Sequence, residues 1–361
     1  MENATDDRAA EPRPVALSVV LCTYQGDRWL GPMLDSLASQ TRLPDELVVQ
    51  DDGSTDGTIR RVRAFASTAP FPVSVAVNDT RLGPTRNFER GLGRSVGRLV
   101  ALADQDDVWG ADKLRRMGEL LDEDPTISLL FSDANLVSAN GEHPMGAPTA
   151  RSLWQARHQA RHLRAHPVVG ATALGRRPIS TGCTMVVRRR ALDVALPFPD
   201  ALDAADQPMG HDRWLALIAA TVGTVVALDE RHVAFRVHEE QATGLDRPTT
   251  RARRLAEVAV SAVVGAREPF DRAHLAQARQ LEAAADRGYR FGDHEAADEL
   301  SALAQHHRAR VIGDLPRRDR LRSILAEART GRYGRNLAGG AALAADLARA
   351  TGRASESAAR P

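Results

Sequence analysis

Lysine is almost missing from this chain. Lys113 is the one lysine among 361 residues, and arginine supplies the rest of the positive charge. A GC-rich coding sequence is the plain source of that bias. Formal net charge is only +1, which removes any bulk electrostatic argument for a nucleic-acid partner. Cysteine is scarce as well. Cys22 and Cys183 are too few for a disulfide framework. Two thiols in a chain of this size fit a reducing compartment, most simply the cytoplasm. Long apolar runs are absent. The longest uncharged stretch, "WLALIAATVGTVVAL" at 214–228, is 15 residues long and is interrupted by Gly223. A membrane span needs about 20 residues, so this stretch predicts a buried helix that turns into a buried strand. Residues 1–13, "MENATDDRAAEPR", lack the apolar centre of a signal peptide and predict a disordered leader. No GxxxxGK[ST] loop is present, which excludes a P-loop NTPase. "GLGRSVG" (91–97) has its third glycine one position late for a dinucleotide loop, and it precedes a strand instead of following one. There are no internal repeats.

What is present is an alternation of short apolar runs with helical periodicity. "ALSVVLCT" (16–23), "ELVVQ" (46–50), "VSVAVN" (73–78), "RLVALAD" (98–104) and "SLLFSD" (128–133) read as strands. Between them, 27–41, 54–67, 85–92 and 111–122 read as helices, with Ser54 as an N-cap for the second. This βαβα rhythm predicts an α/β fold with a mostly parallel sheet covered by helices on both faces. Residues 140–180 are less regular, with a helical segment that stops at Pro167. "TGCTMVVRR" (181–189) offers one more strand. From about Thr249 onward the composition shifts to Ala, Arg, Leu and Glu and predicts helices.

Two strands run straight into carboxylates. In an open parallel sheet, ligands bind at the carboxyl ends of the strands, so both clusters belong in one crevice. Asp51-Asp52-Gly53-Ser54 has two readings. Its carboxylates either accept hydrogen bonds from a nucleobase or ribose, or they begin a loop and cap the next helix. Asp104-Gln105-Asp106-Asp107 points to a metal more directly. Three carboxylates within four residues repel one another unless a cation sits among them, and hard divalent ions take oxygen ligands. A solvated turn, with Asp107 or Asp112 capping the following helix, is the alternative.

Five blocks in order resemble family 2 glycosyltransferases of the GT-A fold, rhamnosyltransferase-like members in particular. They are "VVLCTYQG", "SLASQTRLPDELVVQDDGSTDGT", "NDTRLGPTRNFERGL", "LADQDDVW" and "GHDRWLALIAATVGTVVALDERHVAFRVH", which together run from about Val15 to Gly244. The expected organisation is the leader at 1–13, a GT-A domain at 14–245 implied by the resemblance, and a helical C-terminal extension at 246–361 read from composition. The resemblance implies an inverting, metal-dependent transfer of a sugar from a pyrimidine nucleoside-diphosphate donor, dTDP- or UDP-linked, with rhamnose as the best single sugar. The implied acceptor is a cell-surface glycan or its lipid-linked precursor, reached from the cytoplasmic face. Carried over residue by residue, Thr23, Tyr24, Asp51, Asp52 and Arg86 hold the nucleoside end and Asp104 faces the ribose. Asp106 and His238 ligate Mg²⁺ or Mn²⁺, with Asp107 in support. Arg236 binds the diphosphate. Asp212 is the general base, with His211 beside it. The sequence departs from the family pattern at Gln25, where Asn is common, at Phe235, where Tyr is usual, and at Gln241, where Asn often stands.

His158, His162 and His166, in "RHQARHLRAH", would share one face of a continuous helix. That face reads as basic and polar before it reads as a metal site. The segment 331–352 is amphipathic, which suits either packing on the domain or peripheral contact with a membrane surface. Two rival functions remain at this stage. One is a nucleotidyltransferase, for which "CTYQGDRW" lacks the glycine-rich basic loop. The other is an inactive nucleotide-sugar-binding scaffold, against which the retained Asp104, Asp106 and Asp212 argue.

Overall fold

The computed structural model describes residues 16–139, 152–205, 207–239, 267–333 and 339–351. The predicted alternation is what forms. The strands are β1 (Leu17–Thr23), β2 (Glu46–Asp51), β3 (Val73–Val77), β4 (Leu99–Asp104), β5 (Val108–Trp109), β6 (Ile127–Ser138), β7 (Met185–Arg188) and β8 (Thr224–Val237). The first four are connected by α1 (Asp27–Ala38), α2 (Thr58–Ala66) and α3 (Pro84–Arg94). They lie side by side and parallel in the order β3-β2-β1-β4. β1 and the apolar part of β4 are buried along their length because helices cover both faces. The sheet continues through β7, β6, β8 and β5, in which β7 and β5 run antiparallel to their neighbours. α4 (Lys113–Glu123) connects β5 to β6. The predicted helix-to-strand segment forms α9 (His211–Val222) and then β8.

Register decides where the site lies. Thr23 pairs with Asp51 across β1 and β2, and Cys22 pairs with Asp104 across β1 and β4. The two carboxylate clusters therefore emerge at the same edge of the sheet, on either side of the tip of β1.

Two local expectations are corrected. Ser54 is not the cap of α2, which begins at Thr58 after Gly57 without a side-chain cap. Ser54 instead donates through both its amide and its hydroxyl to Asp51, because the aspartate is the nearer and stronger acceptor. The histidine face at 157–166 does not form either. The segment is split into α5 (Leu153–Ala156) and α6 (Ala160–Ala165), and His158 between them takes a left-handed φ of 55°. That turn sends His158 away from the line of His162 and His166.

The sheet is sandwiched between two apolar cores. One packs α1 and α4 against Val19, Leu21, Leu47 and Ala101. The other gathers Val20, Val100 and Phe131 with Trp154, α7 (Ala171–Arg176), α8 (Arg189–Ala195) and α9. This second core extends past the predicted domain end. α10 (Arg267–Phe291) and α11 (His294–Ala309) contribute Leu281, Ala284, Leu300 and Leu303 to the cluster that holds Leu174 and Trp214. The expected boundary at 245/246 falls outside the described residues, but these two helices share the core of the sheet domain. α12 (Arg317–Arg329) and α13 (Gly339–Thr351) add a small cluster around Ile312, Ile324 and Ala350. α13 lies in the segment expected to be amphipathic, and Asp346 and Ala350 on it are buried. No helix among the described residues is long and apolar enough to cross a membrane.

Leu281 is fully buried. Leu281→Ala should lower stability by about 2–5 kcal/mol, the usual cost of a large-to-small core change. Denaturant unfolding should show one transition that moves as a whole. A separate early transition that leaves the sheet domain untouched would show that the C-terminal helices are an independent unit.

Candidate active site

A cavity of about 280 Å³ opens at the tips of β1 and β4. Thr23, Tyr24, Asp52, Asp104, Asp106 and Asp212 all line it. Six of the ten residues selected from the sequence thus meet around one space, although they come from β1, β2, β4 and α9.

The first carboxylate cluster is built into the wall. Asp51 is fully buried and accepts from the Thr23 hydroxyl at 2.6 Å, the Ser54 amide at 2.7 Å and the Ser54 hydroxyl at 2.6 Å. Asp52 accepts from Asn78 at 2.9 Å and from the amides of Leu82 and Gly83 at 2.7 and 2.8 Å. Gly83 has φ +83°, and this left-handed conformation turns its amide onto Asp52. Both aspartates thereby shape the loops that frame the cavity, and only Asp52 reaches its surface.

The second cluster is electrostatically tense. Burial pushes the Asp104 carboxyl well above its ordinary range, and the nearby Asp106, Asp107 and Asp212 push it further. Four carboxylates thus crowd one edge of the sheet. Asp106 Oδ2 lies 2.8 Å from His238 Nε2, so β8 delivers the expected histidine to the expected aspartate. Trp29 on α1 stacks on the His238 ring at 5.0 Å and fixes its plane. A carboxylate and an imidazole within hydrogen-bond distance of each other, on the rim of an acidic cavity, fit a divalent cation. The imidazole suits Mn²⁺ better than Mg²⁺. A second candidate group, Asp104, Asp107 and Cys183, has ligand atoms within 4.8 Å of one another. It fits a metal less well, because burial pushes the Cys183 thiol up, away from the thiolate that a metal takes.

Asp212 stands in the first turn of α9, where the helix dipole favours a carboxylate anion. Its Oδ1 accepts from the Arg213 amide at 2.7 Å. Among the described residues no donor binds Oδ2, so that atom is available to the cavity. His211 stacks on Phe88, with ring centroids 3.8 Å apart, and burial lowers its pKa, which keeps the ring neutral.

Four selected residues do not line the cavity: His238, which stands behind Asp106, and Arg86, Arg236 and Asp51. Arg86 is held by Glu89, by Asp203 and by the Phe198 carbonyl, pinning α3 to the 198–203 loop. Arg236 donates to the Asp106 and Ala139 carbonyls while its amide binds Asp107 Oδ1, so it braces the acidic turn against β8. Asp51 lies behind Thr23. Two residues that no sequence feature singles out are at the surface of the cavity. Arg81 lines the cavity with its guanidinium 4.1 Å from the centre of the Tyr24 ring. Gln105 clamps the Tyr24 backbone, accepting from its amide and donating to its carbonyl, both at 2.9 Å. The spacing of "YQGDRW" and "DQDD" holds no sign of that clamp, which spans 81 positions.

The family model for glycosyl transferase family 2 matches residues 18–192, the stretch that supplies most of this cavity. Residues 18–192 are a family 2 glycosyl transferase domain. The GT-A architecture implied by the sequence resemblance is the one the domain adopts. An uncharacterised protein of Mycobacterium tuberculosis is 29% identical over 127 residues, covering 35% of this chain and 37% of that protein. The chain therefore spans little more than a third of the length of such mycobacterial relatives. A dTDP-rhamnosyl transferase of Shigella flexneri is 24% identical, covering 62% of this chain and 73% of that protein. Among solved structures, Staphylococcus aureus TarS 1–349 in complex with UDP-GlcNAc aligns at TM-score 0.48 and 18% identity, over 93% of this chain and 90% of that one.

Thr23→Val tests the wall of this domain. It removes one of the hydrogen bonds to a fully buried carboxylate and should cost about 1–3 kcal/mol in denaturant unfolding. A loss below about 0.5 kcal/mol would mean that the Thr23–Asp51 bond does not hold the turn.

Proposed function

We propose that the protein is an inverting, metal-dependent glycosyltransferase that takes its sugar from a pyrimidine nucleoside diphosphate. The observation that carries this reading is the convergence of Asp104, Asp106 and Asp212 on one cavity, with His238 against Asp106. In this reading Thr23, Tyr24 and Asp52 border the nucleoside end, with Asp51 fixing them from behind, and Asp104 meets the ribose. Arg81, stacked on Tyr24, supplies the cation that Arg86 and Arg236 do not bring to the cavity. Asp106 and His238 hold Mn²⁺ or Mg²⁺. When bound, such an ion supplies positive charge to the departing diphosphate.

Inversion needs a base on the side of the sugar opposite the leaving group. Asp212 meets that need. One of its oxygens is fixed by the Arg213 amide, and the other is open to an acceptor hydroxyl. As the acceptor oxygen bonds to the anomeric carbon, its proton passes to Asp212 and the bond to the nucleoside diphosphate breaks. The neutral His211 beside it adds no competing charge. The dTDP-rhamnosyl relative supports rhamnose as the sugar, and in this reading the acceptor is a cell-surface glycan or its lipid-linked precursor.

Asp212→Asn should lower kcat about 10²- to 10⁴-fold, the usual worth of a positioned base, with donor affinity near that of the parent. Weaker donor binding with normal turnover at saturation would remove Asp212 from this role. Asp106→Ala should abolish the Mn²⁺-dependent part of nucleoside-diphosphate binding, measured by titration calorimetry. Unchanged metal-dependent affinity would place the ion elsewhere.

A further inference from the structure

Gln105 stands inside the acidic turn, between Asp104 and Asp106, and its side chain reaches out of that turn to the tip of β1. It accepts from the Tyr24 amide and donates to the Tyr24 carbonyl, both at 2.9 Å. An accepted and a donated bond side by side need a primary amide, because a carboxylate has no hydrogen to give. The next residue is tied the other way, to the loop after β2. The Gln25 amide donates to Ser54 Oγ at 2.9 Å, and the Gln25 side chain accepts from the Thr55 and Asp56 amides at 3.0 and 3.2 Å. Tyr24, Asp104, Gln105 and Asp106 all line the cavity. Gln105 therefore joins the turn placed at the nucleoside to the turn placed at the metal.

Gly26 makes room for that clamp. Its φ of −104° and ψ of 8° lie in a region that other residues also occupy, so its backbone does not call for glycine. Space does. A Cβ there would overlap the Gln105 amide oxygen and carbon, and its three nearest neighbours would all be atoms of the Gln105 side chain.

We propose that Gln105 is a positioning residue that sets the spacing between the nucleoside and diphosphate ends of the donor site, a role that rests on the donor reading above. A ligand that spans both ends, such as UDP, gains from a fixed spacing, because less order remains to be imposed when it binds. A ligand that engages the metal end alone, such as inorganic pyrophosphate, gains nothing from it.

Titration calorimetry of the full chain with Mn²⁺ present separates the two. Gln105→Ala should weaken UDP binding about 10-fold, roughly the worth of two lost hydrogen bonds, and leave pyrophosphate within about twofold of the parent. Unchanged UDP affinity, or an equal fall for both ligands, overturns the proposal. Thermal melting tests the clamp with no ligand at all. Gly26→Ala should melt about 2–4 °C below the parent. In the Gln105→Ala background, where the space is free, the same change should cost little. An equal cost in both backgrounds overturns the clamp and the role with it. A parent that binds no UDP with Mn²⁺, while the melting cycle behaves as expected, overturns the role through the donor reading and leaves the clamp standing.

Discussion

Mutual repulsion among four carboxylates is the constraint on which the rest of this site depends. Asp104, Asp106, Asp107 and Asp212 lie close enough for Asp106, Asp107 and Asp212 all to raise the Asp104 pKa, in surroundings where burial already disfavours charge. A sheet edge of that kind is tolerable only if each carboxylate has its own compensation. Asp212 has the N-terminus of α9 and the Arg213 amide. Asp107 has the Arg236 amide and the Cys183 thiol. Asp106 has His238, and it is the member whose partner a divalent ion can share. Asp104, whose carboxyl burial pushes up, opens onto the cavity.

The surrounding structure serves that arrangement. Parallel pairing of β1 with β2 and β4 brings the two clusters together without strain. Asp51 and Asp52 are spent on fixing loops, which leaves the tip of β1 rigid. Arg236 and Trp29 hold β8 against the acidic turn, so that His238 and Asp106 remain in contact. The C-terminal helices reach the same end indirectly. Leu281 and Leu303 pack in the cluster that contains Trp214 of α9, the helix that carries Asp212.

Much of this was legible in the sequence because it is local. Apolar runs of strand length, helical spacing between them, and aspartates directly after Gln50 and Ala103 gave the sheet and its edge. The misreadings are long-range in origin. Ser54 has the chemistry of a cap, but a buried Asp51 competes for it. The histidines at 158, 162 and 166 have helical spacing, but His158 takes a left-handed turn that no periodicity reveals. Arg86 matches a family position, yet Glu89 and Asp203 engage it, while Arg81 faces the cavity. α10 also meets the loop before α9 across 73 positions, where the Gln280 amide donates to the Gln207 carbonyl.

The central claim is that one acidic cavity binds a pyrimidine nucleoside diphosphate together with a divalent ion. Thermal melting of the full chain with UDP, dTDP or GDP, each with and without Mn²⁺, tests it most directly. The account predicts a rise in melting temperature with UDP or dTDP that requires Mn²⁺, and little or none with GDP. Equal stabilisation without the metal, or none with any of the three nucleotides, would contradict it.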